Sequence, residues 1–552
     1  MRRTLALILL GALVACAPDR PDDTAADPDG SLSVADAGPE LTKRGDSAES
    51  PQDQEPFHLL IRGGMLVDGT GAPARSGDLL VRNGIIAYVG PTDPDTLQVQ
   101  EVFDARGLVV TPGFIDAHVH GDPTETPGFP NFLAQGVTTI VLGQDGSSPR
   151  PGEFPALMTA LERTPPAVNV AWLVGHNTIR MASGVEFGEP DAGGLRRMAD
   201  LVRLGLEEGA FGLSLGLEYD PGVRAGMDEL VAIAEPVAAW DGIVMSHMRN
   251  EDADAVEASL EELLEQGRRS GARIHASHMK SVLGNEPAQA RRMLAAMAVA
   301  REAGNEVTGD VYPYTASFTG LSILFPDWAR PPNDYEAVRA QRPDELATHL
   351  RERVEGRNGP EATLFGSGPW AGMTLAQAAA RENRPFEDLL VELGPGGATA
   401  AYFVMNEEVM TTFLADPWVV VASDGSPTMR HPRGYGSFAL VLRRYVLEED
   451  LLPLEEAIRK MTGFTAHILR LDDPHRVEVP RGRLEEGWAA DIAAFDPGEV
   501  RDRADFQEPH RLAEGMRRVW VNGTLAWHDG APSGEGHAGR PLRFLAQGGG
   551  GG

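Results

Sequence analysis

The sequence predicts a (β/α)8 TIM-like barrel with a small β-sandwich built from both chain ends. Three observations carry that expectation. Apolar strand-like runs alternate with amphipathic helical stretches from Gly136 to Ala422, the pattern of a parallel sheet closed by crossover helices. Short β-rich runs punctuated by glycine stand at both ends of the chain. Histidines and carboxylates recur just past the apolar runs, where the strands of a barrel would end.

Length and composition set the bounds. The chain has 552 residues, 42% of them hydrophobic, enough for a large core and more than one structural unit. A formal charge of −32 argues against nucleic acid or an anionic membrane surface as a partner and is read as a solvated acidic surface. Cys16 is the single cysteine, so the chain forms no intrachain disulfide and offers neither a thiolate metal ligand nor a cysteine nucleophile downstream.

In chain order, residues 1–16 read as a targeting segment. Arg2 and Arg3 precede an apolar run from Leu5 to Ala15 that is short for a bilayer span, and Leu13-Val14-Ala15-Cys16 resembles a bacterial lipobox, with Cys16 the lipidated residue. An ordinary cleaved signal is the second reading. The expectation is an exported bacterial lipoprotein on the periplasmic face of the membrane, attached only through its N-terminal lipid; Ala17 after the cysteine leans towards the outer membrane. Residues 17–56, rich in Asp, Pro, Ser, Gly and Ala, have the composition of a disordered tether. Residues 57–111 hold glycine-bounded hairpins and form the first part of the β-sandwich; residues 479–545, with Ala489-Ala490-Asp491-Ile492 and Val519-Trp520-Val521-Asn522-Gly523, form the second. Residues 112–478 are the barrel. Within it the interval of about 317–397 is too long for a plain loop and reads as an insertion or lid. Residues 546–552 are a loose glycine tail.

The candidate site begins at Phe114-Ile115-Asp116-Ala117-His118-Val119-His120. Alternation along a strand projects His118 and His120 to one face, where two imidazoles can hold one divalent ion. A histidine pair alone fits structural histidines equally well. His247 after Val244-Met245-Ser246, His278 after Ile274-His275-Ala276-Ser277, and Asp424 after Val419 to Ser423 also stand at strand ends, which converge in a barrel. Independent core histidines rarely produce that constellation.

With these motifs in place the chain resembles the amidohydrolase superfamily and, within it, the N-acyl-D-amino-acid deacylases (D-aminoacylases), over about His58 to Trp527. The resemblance rests on Pro112-Gly113-Phe114 through Asp122, Gly212-Leu213-Ser214 through Gly222, Ser246-His247-Met248-Arg249-Asn250-Glu251, Ser277-His278-Met279-Lys280, Asp310-Val311-Tyr312-Pro313-Tyr314, and Ser423-Asp424-Gly425-Ser426 with His431-Pro432-Arg433-Gly434-Tyr435. It implies a divalent metal, zinc as one or two ions, held by His118, His120, His247, His278 and Asp424, with Asp424 also the general base. It implies that Lys280, Tyr312 or Tyr314, and Arg433 hold the free α-carboxylate of a small N-acylated amino acid; His176 is read as lining the pocket or standing beside the ligands. One departure stands out. Where the family has Gly-Asn-Cys-Gly with a zinc-binding cysteine, this chain has Gly143-Gln144-Asp145-Gly146, so Asp145 becomes the candidate carboxylate ligand, with Glu218 a second one.

The expected reaction is hydrolysis of an amide bond of N-acyl-D-amino acids to a carboxylate and a free D-amino acid, by a metal-activated water with Asp424 as general base. A cyclic amidase of dihydroorotase or hydantoinase type, or a dipeptidase, is the alternative using the same chemistry. An inactive binding lipoprotein is the third reading, and the complete ligand set speaks against it.

Overall fold

The computed structural model describes residues 56–93, 97–534 and 536–546. Cys16, the remainder of 1–55 and the glycine tail from 547 lie outside the described residues.

The barrel strands are short, β-branched and buried: Phe114–Asp116, Val137–Leu142, Asn169–Trp172 continued by Val174–Gly175, Gly212–Gly216, Ile243–His247, Arg273–Ala276, Val307–Val311 and Val419–Val421. Near-continuous apolar runs of this kind suit a parallel sheet covered on both faces. All neighbouring pairs are parallel. The ring is completed by Phe211 N to Trp172 O (2.8 Å) and Leu173 N to Leu142 O (2.9 Å) on one side. On the other side the bridge Val119 to Gly425, with His120 N to Gly425 O at 2.8 Å, joins first strand to last. Outer helices pack by a single apolar stripe. Val256–Ser270, for example, buries Leu260, Leu263 and Leu264 beneath a Glu-rich face and stops at Gly271, whose φ of 73° ends the helix in the left-handed region.

The two chain ends meet in one nine-stranded sheet, because Ile492–Phe495 pairs antiparallel with Val109–Pro112. Bulges interrupt its ladders at Ile61/Gly64, Leu80/Val81, Ala494/Phe495 and Val519/Trp520, and a bulge bends its strand. Leu59, Ile61, Leu79 and Val81 from one end therefore share an apolar cluster with Ile492 and Trp520 from the other.

The segment expected as an insertion builds its own antiparallel sheet from Ser317–Gly320, Thr363–Phe365 and Thr399–Tyr402, so it runs past Gly397. It has a separate core of Leu321, Leu346, Leu350, Phe365, Leu389 and Leu390. Among the described residues no helix is long and apolar enough to cross a membrane.

Candidate metal centre and active site

A cavity of about 390 Å³ opens at the carboxyl ends of the barrel strands, with the insertion contributing Ser317, Phe318, Thr319, Ile323 and Arg357 to its wall. Strand geometry delivers the polar residues. His118 and His120 leave the first strand on one face, His247 ends Ile243–His247, and His278 and Asp424 each stand two or three residues past a strand end. Three of the converging residues hold left-handed backbone: Asp145 (φ 53°), His278 (φ 36°) and Asp424 (φ 49°). Such conformations cost of order 1–3 kcal/mol each and persist where the surrounding structure fixes them. Glycine makes the fit possible: a Cβ on Gly216 would lie 2.1 Å from Asp145 O, and one on Gly425 would lie 2.4 Å from Gly434 Cα. The second approach sets Arg433 beside Asp424.

Two ligand groups share Asp145. In the first, His118 Nε2 lies 3.3 Å from Asp145 Oδ1 and 3.7 Å from Asp424 Oδ1, and His120 Nε2 lies 3.1 Å from Asp424 Oδ1 and 3.5 Å from Asp145 Oδ2. In the second, His278 Nε2 is 3.4 Å from Asp145 Oδ1 and His247 Nδ1 is 3.8 Å from Asp145 Oδ2, with 3.0 Å between the two imidazoles. Ligand atoms about 2.0–2.2 Å from a tetrahedral ion are about 3.4 Å apart, the separation found here. Both ring nitrogens of His118 and Asp145 Oδ1 are buried without a hydrogen-bond partner. Buried polar atoms are rarely left so, and an ion between His118 Nε2 and Asp145 Oδ1 satisfies both, while His118 Nδ1 points the other way, 3.9 Å from Asp310 Oδ2. The donor set, nitrogen and oxygen only, fits a divalent cation. Glu218 faces the other nitrogen of His247, with Oε2 at 3.0 Å from Nε2, and so stands outside the pair of groups that share Asp145.

The electrostatics follow from crowding charge in a closed space. Burial pushes the His118 imidazole down, against the pull of Asp145 and Asp424. Burial also opposes charge on His120, but Asp145 and Asp424 raise it to about 9; for His247, Glu251, Asp145 and Glu218 overcome burial and lift it to about 10. Asp424 is held far below the usual carboxylate range: burial resists, and the Arg433 charge and His278 prevail.

Around these residues stands a second set. Lys280 Nζ is 2.8 Å from each oxygen of Glu251 and 2.7 Å from His278 Nδ1. Arg433, 2% exposed, meets Asp424 Oδ2 at 2.8 Å through Nη1 and donates to Phe318 O through Nη2 at 3.3 Å; its Nε is buried with no partner. Its guanidinium carbon lies 4.8 Å from the Tyr312 ring centroid, and burial raises the Tyr312 phenol to about 12.

Two expectations need correction. Tyr314 is half-buried against Gly436 and His431 and does not line the cavity, which leaves Tyr312 as the tyrosine of the pair that does. His176 does not line it either: its Nε2 is 2.8 Å from Glu229 Oε1, and Arg180 Nη1 meets both Glu229 oxygens at 2.7 Å, so a private ionic partner holds it in the barrel wall. Its neighbour Asn177 reaches the cavity instead.

Several residues escaped sequence reasoning. Glu251 pairs with Lys280 and lies 3.2 Å from His278 Nδ1; its signal was a carboxylate one helical turn of spacing after His247. Asp310, at the end of Val307–Val311, accepts the His278 backbone N–H at 2.8 Å and the His275 Nε2 contact at 2.8 Å. Asp116 accepts the Ser423 and His118 backbone N–H groups at 3.0 and 3.3 Å, tying the first strand to the last. Nothing in the sequence pointed to Arg357.

A model of the Amidohydrolase family matches residues 389–526. N-acyl-D-glutamate deacylase of Alcaligenes xylosoxydans xylosoxydans is 36% identical over 89% of this chain and 97% of its own length. D-aminoacylase of the same organism is 34% identical over 90% of this chain and 100% of its own length. Among solved structures, N-acyl-D-glutamate deacylase from Bordetella bronchiseptica, complexed with zinc and a phosphonate inhibitor that mimics the tetrahedral intermediate, is similar with a TM-score of 0.77 at 35% identity, covering 89% of this chain and 100% of that one.

Proposed function

Because this chain belongs to the D-aminoacylase family of amidohydrolases, we propose that it hydrolyses the amide bond of N-acyl-D-amino acids, releasing a carboxylate and a free D-amino acid. The observation that carries the reading is the meeting of Asp424 with His118, His120 and Asp145 on one side and Arg433 on the other, inside the cavity at the barrel mouth.

His118, His120, Asp145 and Asp424 would hold one divalent ion, zinc in the Bordetella relative, and Asp145, His247 and His278 a second. When bound, such an ion supplies Lewis acidity towards the scissile carbonyl and brings a water's pKa towards neutrality. The chain's own groups do the rest. Asp424, kept ionised, accepts the proton of the attacking water and delivers it to the departing amine nitrogen. Arg433, with a spare Nε donor, and Tyr312 beside it receive the α-carboxylate. Lys280 is already committed to Glu251, so it sets the local charge and steadies His278 while the carboxylate is held mainly by Arg433. Asp310 and Glu251 fix His278 from the backbone and the ring side.

The location is part of the same reading. Arg2-Arg3, the apolar run to Ala15 and Leu13-Val14-Ala15-Cys16 support an exported lipoprotein anchored through Cys16 at the periplasmic face of the outer membrane. Cys16→Ser should release the protein from the membrane fraction or leave its precursor unprocessed; a wild-type protein already soluble and without lipid removes the anchor.

The enzymatic reading is tested with N-acetyl-D- and N-acetyl-L-amino acids offered to purified protein of measured metal content. Turnover of D substrates supports it; turnover of hydantoins or dihydropyrimidines alone would transfer the chain to the cyclic-amidase chemistry.

A further inference from the structure

Arg433 is the first residue of helix Arg433–Leu440, so its backbone N–H is one that the helix cannot satisfy from within. His431 satisfies it. Its Nδ1 accepts the Arg433 N–H at 3.0 Å, and its Nε2 meets Ala316 O at 3.1 Å. An amide N–H only donates and a carbonyl oxygen only accepts, so these partners leave Nδ1 bare and put the hydrogen on Nε2. Burial, together with the Arg433 charge, holds the imidazole well below its ordinary range. The ring is fully buried and does not line the cavity. It stands edge-on to Tyr314 at 5.6 Å, to Phe318 of the insertion at 6.1 Å and to Phe506 of the C-terminal segment at 4.9 Å. The tip of Arg433 refers to the same stretch of the insertion, because Nη2 donates to Phe318 O, two residues after Ala316. Arg433 is therefore held at both ends against one strand edge: at its backbone through His431 and at its guanidinium directly, with Asp424 on the remaining nitrogen. Fixing base and tip of a side chain with this many rotatable bonds removes an ordering cost before substrate arrives.

We propose that His431 is a positioning residue for the substrate's α-carboxylate: it ties the Arg433 backbone to the insertion at Ala316 and so sets where the Arg433 fork reaches. The inference rests on the deacylase reading and deepens it. Three parts of the chain meet on this one imidazole. The loop after the last barrel strand supplies Arg433, the insertion supplies the carbonyl that orients the ring, and the C-terminal segment packs Phe506 against it.

The test measures kcat/KM for an N-acetyl-D-amino acid and for the same amide with its α-carboxylate replaced by a carboxamide. Wild type, His431→Phe, His431→Asn and His431→Gln are compared, with bound metal quantified in each. His431→Phe keeps a ring among the aromatic neighbours and loses both hydrogen bonds. Its carboxylate-to-carboxamide ratio should fall about 10- to 100-fold, the scale of loss when a binding group is displaced by about an ångström. His431→Asn can still accept the N–H two residues on, as asparagine does in turns, and should retain most of the ratio. His431→Gln keeps a donor towards Ala316 O but loses that acceptor, and should behave like His431→Phe. Metal content should match wild type throughout. A merely structural role would lower both rates alike and leave the ratio in place. A ratio unchanged in His431→Phe and His431→Gln, or His431→Asn no better than His431→Gln, overturns the inference while wild-type turnover leaves the deacylase reading standing. Should His431→Phe fail to fold, the comparison of His431→Asn with His431→Gln decides alone. If wild-type protein turns over no N-acyl-D-amino acid, the deacylase reading fails and takes the inference with it.

Discussion

Two clusters of buried histidine and carboxylate lie in the same barrel wall and differ in how their charges close. At the mouth, His118, His120, His247, His278, Asp145 and Asp424 crowd a cavity, with both His118 nitrogens and one Asp145 oxygen left without partners. Behind it, His176, Glu229 and Arg180 are joined at 2.7–2.8 Å, and Arg180 also donates to Glu186 O and Gly188 O at 3.0 and 2.5 Å. In the second cluster Arg180 answers Glu229, and the one atom left over, His176 Nδ1, belongs to a residue that does not line the cavity. In the first, His118 Nε2 and Asp145 Oδ1 are left over 3.3 Å from one another beside a cavity into which something else must fit. A titratable cluster marks a site when its charges stay open towards a cavity; when they close on one another it supports the fold.

That contrast can be broken at either end. The largest effect is expected from Asp424→Asn, which keeps an oxygen in place and removes the proton acceptor: kcat should fall about 10²- to 10⁴-fold in protein that is still folded. Retained turnover in this variant would place the general base elsewhere. At the closed cluster the expected effect is on stability. Arg180→Met leaves Glu229 buried beside a single imidazole, and denaturant unfolding should show a loss of about 3–5 kcal/mol. Metal content per folded molecule should stay as in wild type; a loss of metal in Arg180→Met would mean that the two clusters are one system.

The sequence made the mouth more legible than the wall behind it. His118, His120, His247, His278 and Asp424 each follow an apolar run, so strand periodicity alone sends them to one end of the barrel. Asp145 stood out because an acid occupies the place of a cysteine between two glycines. The buried partners gave weaker signals. Glu251 and Lys280 are 29 residues apart and Arg357 and Asp252 are 105 apart, so only the fold brings them together. His176 misled for the converse reason: its motif resembles that of pocket residues, but its ring turns into the wall, where Glu229 waits one helix away. Tyr312 and Tyr314 share a face by period two, and only the turn after Val311 separates cavity from core. The meeting of the two chain ends was visible in their hairpin texture, whereas the direct pairing of Ile492–Phe495 with Val109–Pro112 was not.

A smaller effect sharpens the contrast on the open side. Arg433→Met should cut kcat/KM for an N-acyl-D-amino acid by about 2–4 kcal/mol of transition-state stabilisation, and by much less for the same amide whose α-carboxylate is a carboxamide. Equal losses on both substrates would show that Arg433 serves only to hold Asp424.

The smallest concerns a buried cation that closes on backbone carbonyls instead of a carboxylate. Lys460 donates to Leu414 O and, at 2.8 Å, to Asp416 O just before strand Val419–Val421, and burial pushes its amine down to about 7. Between that value and the ordinary lysine range the unfolded chain binds more protons than the folded one, so this group's contribution to stability rises with pH through that window. The slope stays below about 1.4 kcal/mol per pH unit. Unfolding free energies of wild type and Lys460→Met across pH 7–10 measure it: the difference between the two proteins should change with pH in that direction, and a flat difference would mean that the two carbonyls keep the amine charged throughout.

The account turns on whether the open valences at the barrel mouth hold an ion that amide hydrolysis needs. The direct measurement is hydrolysis of N-acetyl-D-amino acids by the purified protein as isolated, after stripping with a chelator, and after return of a divalent metal, with bound metal quantified at each stage. The account predicts turnover that disappears with the metal and returns with it, and a metal content that drops in His118→Asn and Asp145→Ala. Turnover that survives complete removal of metal, or full metal content in both variants, would contradict it.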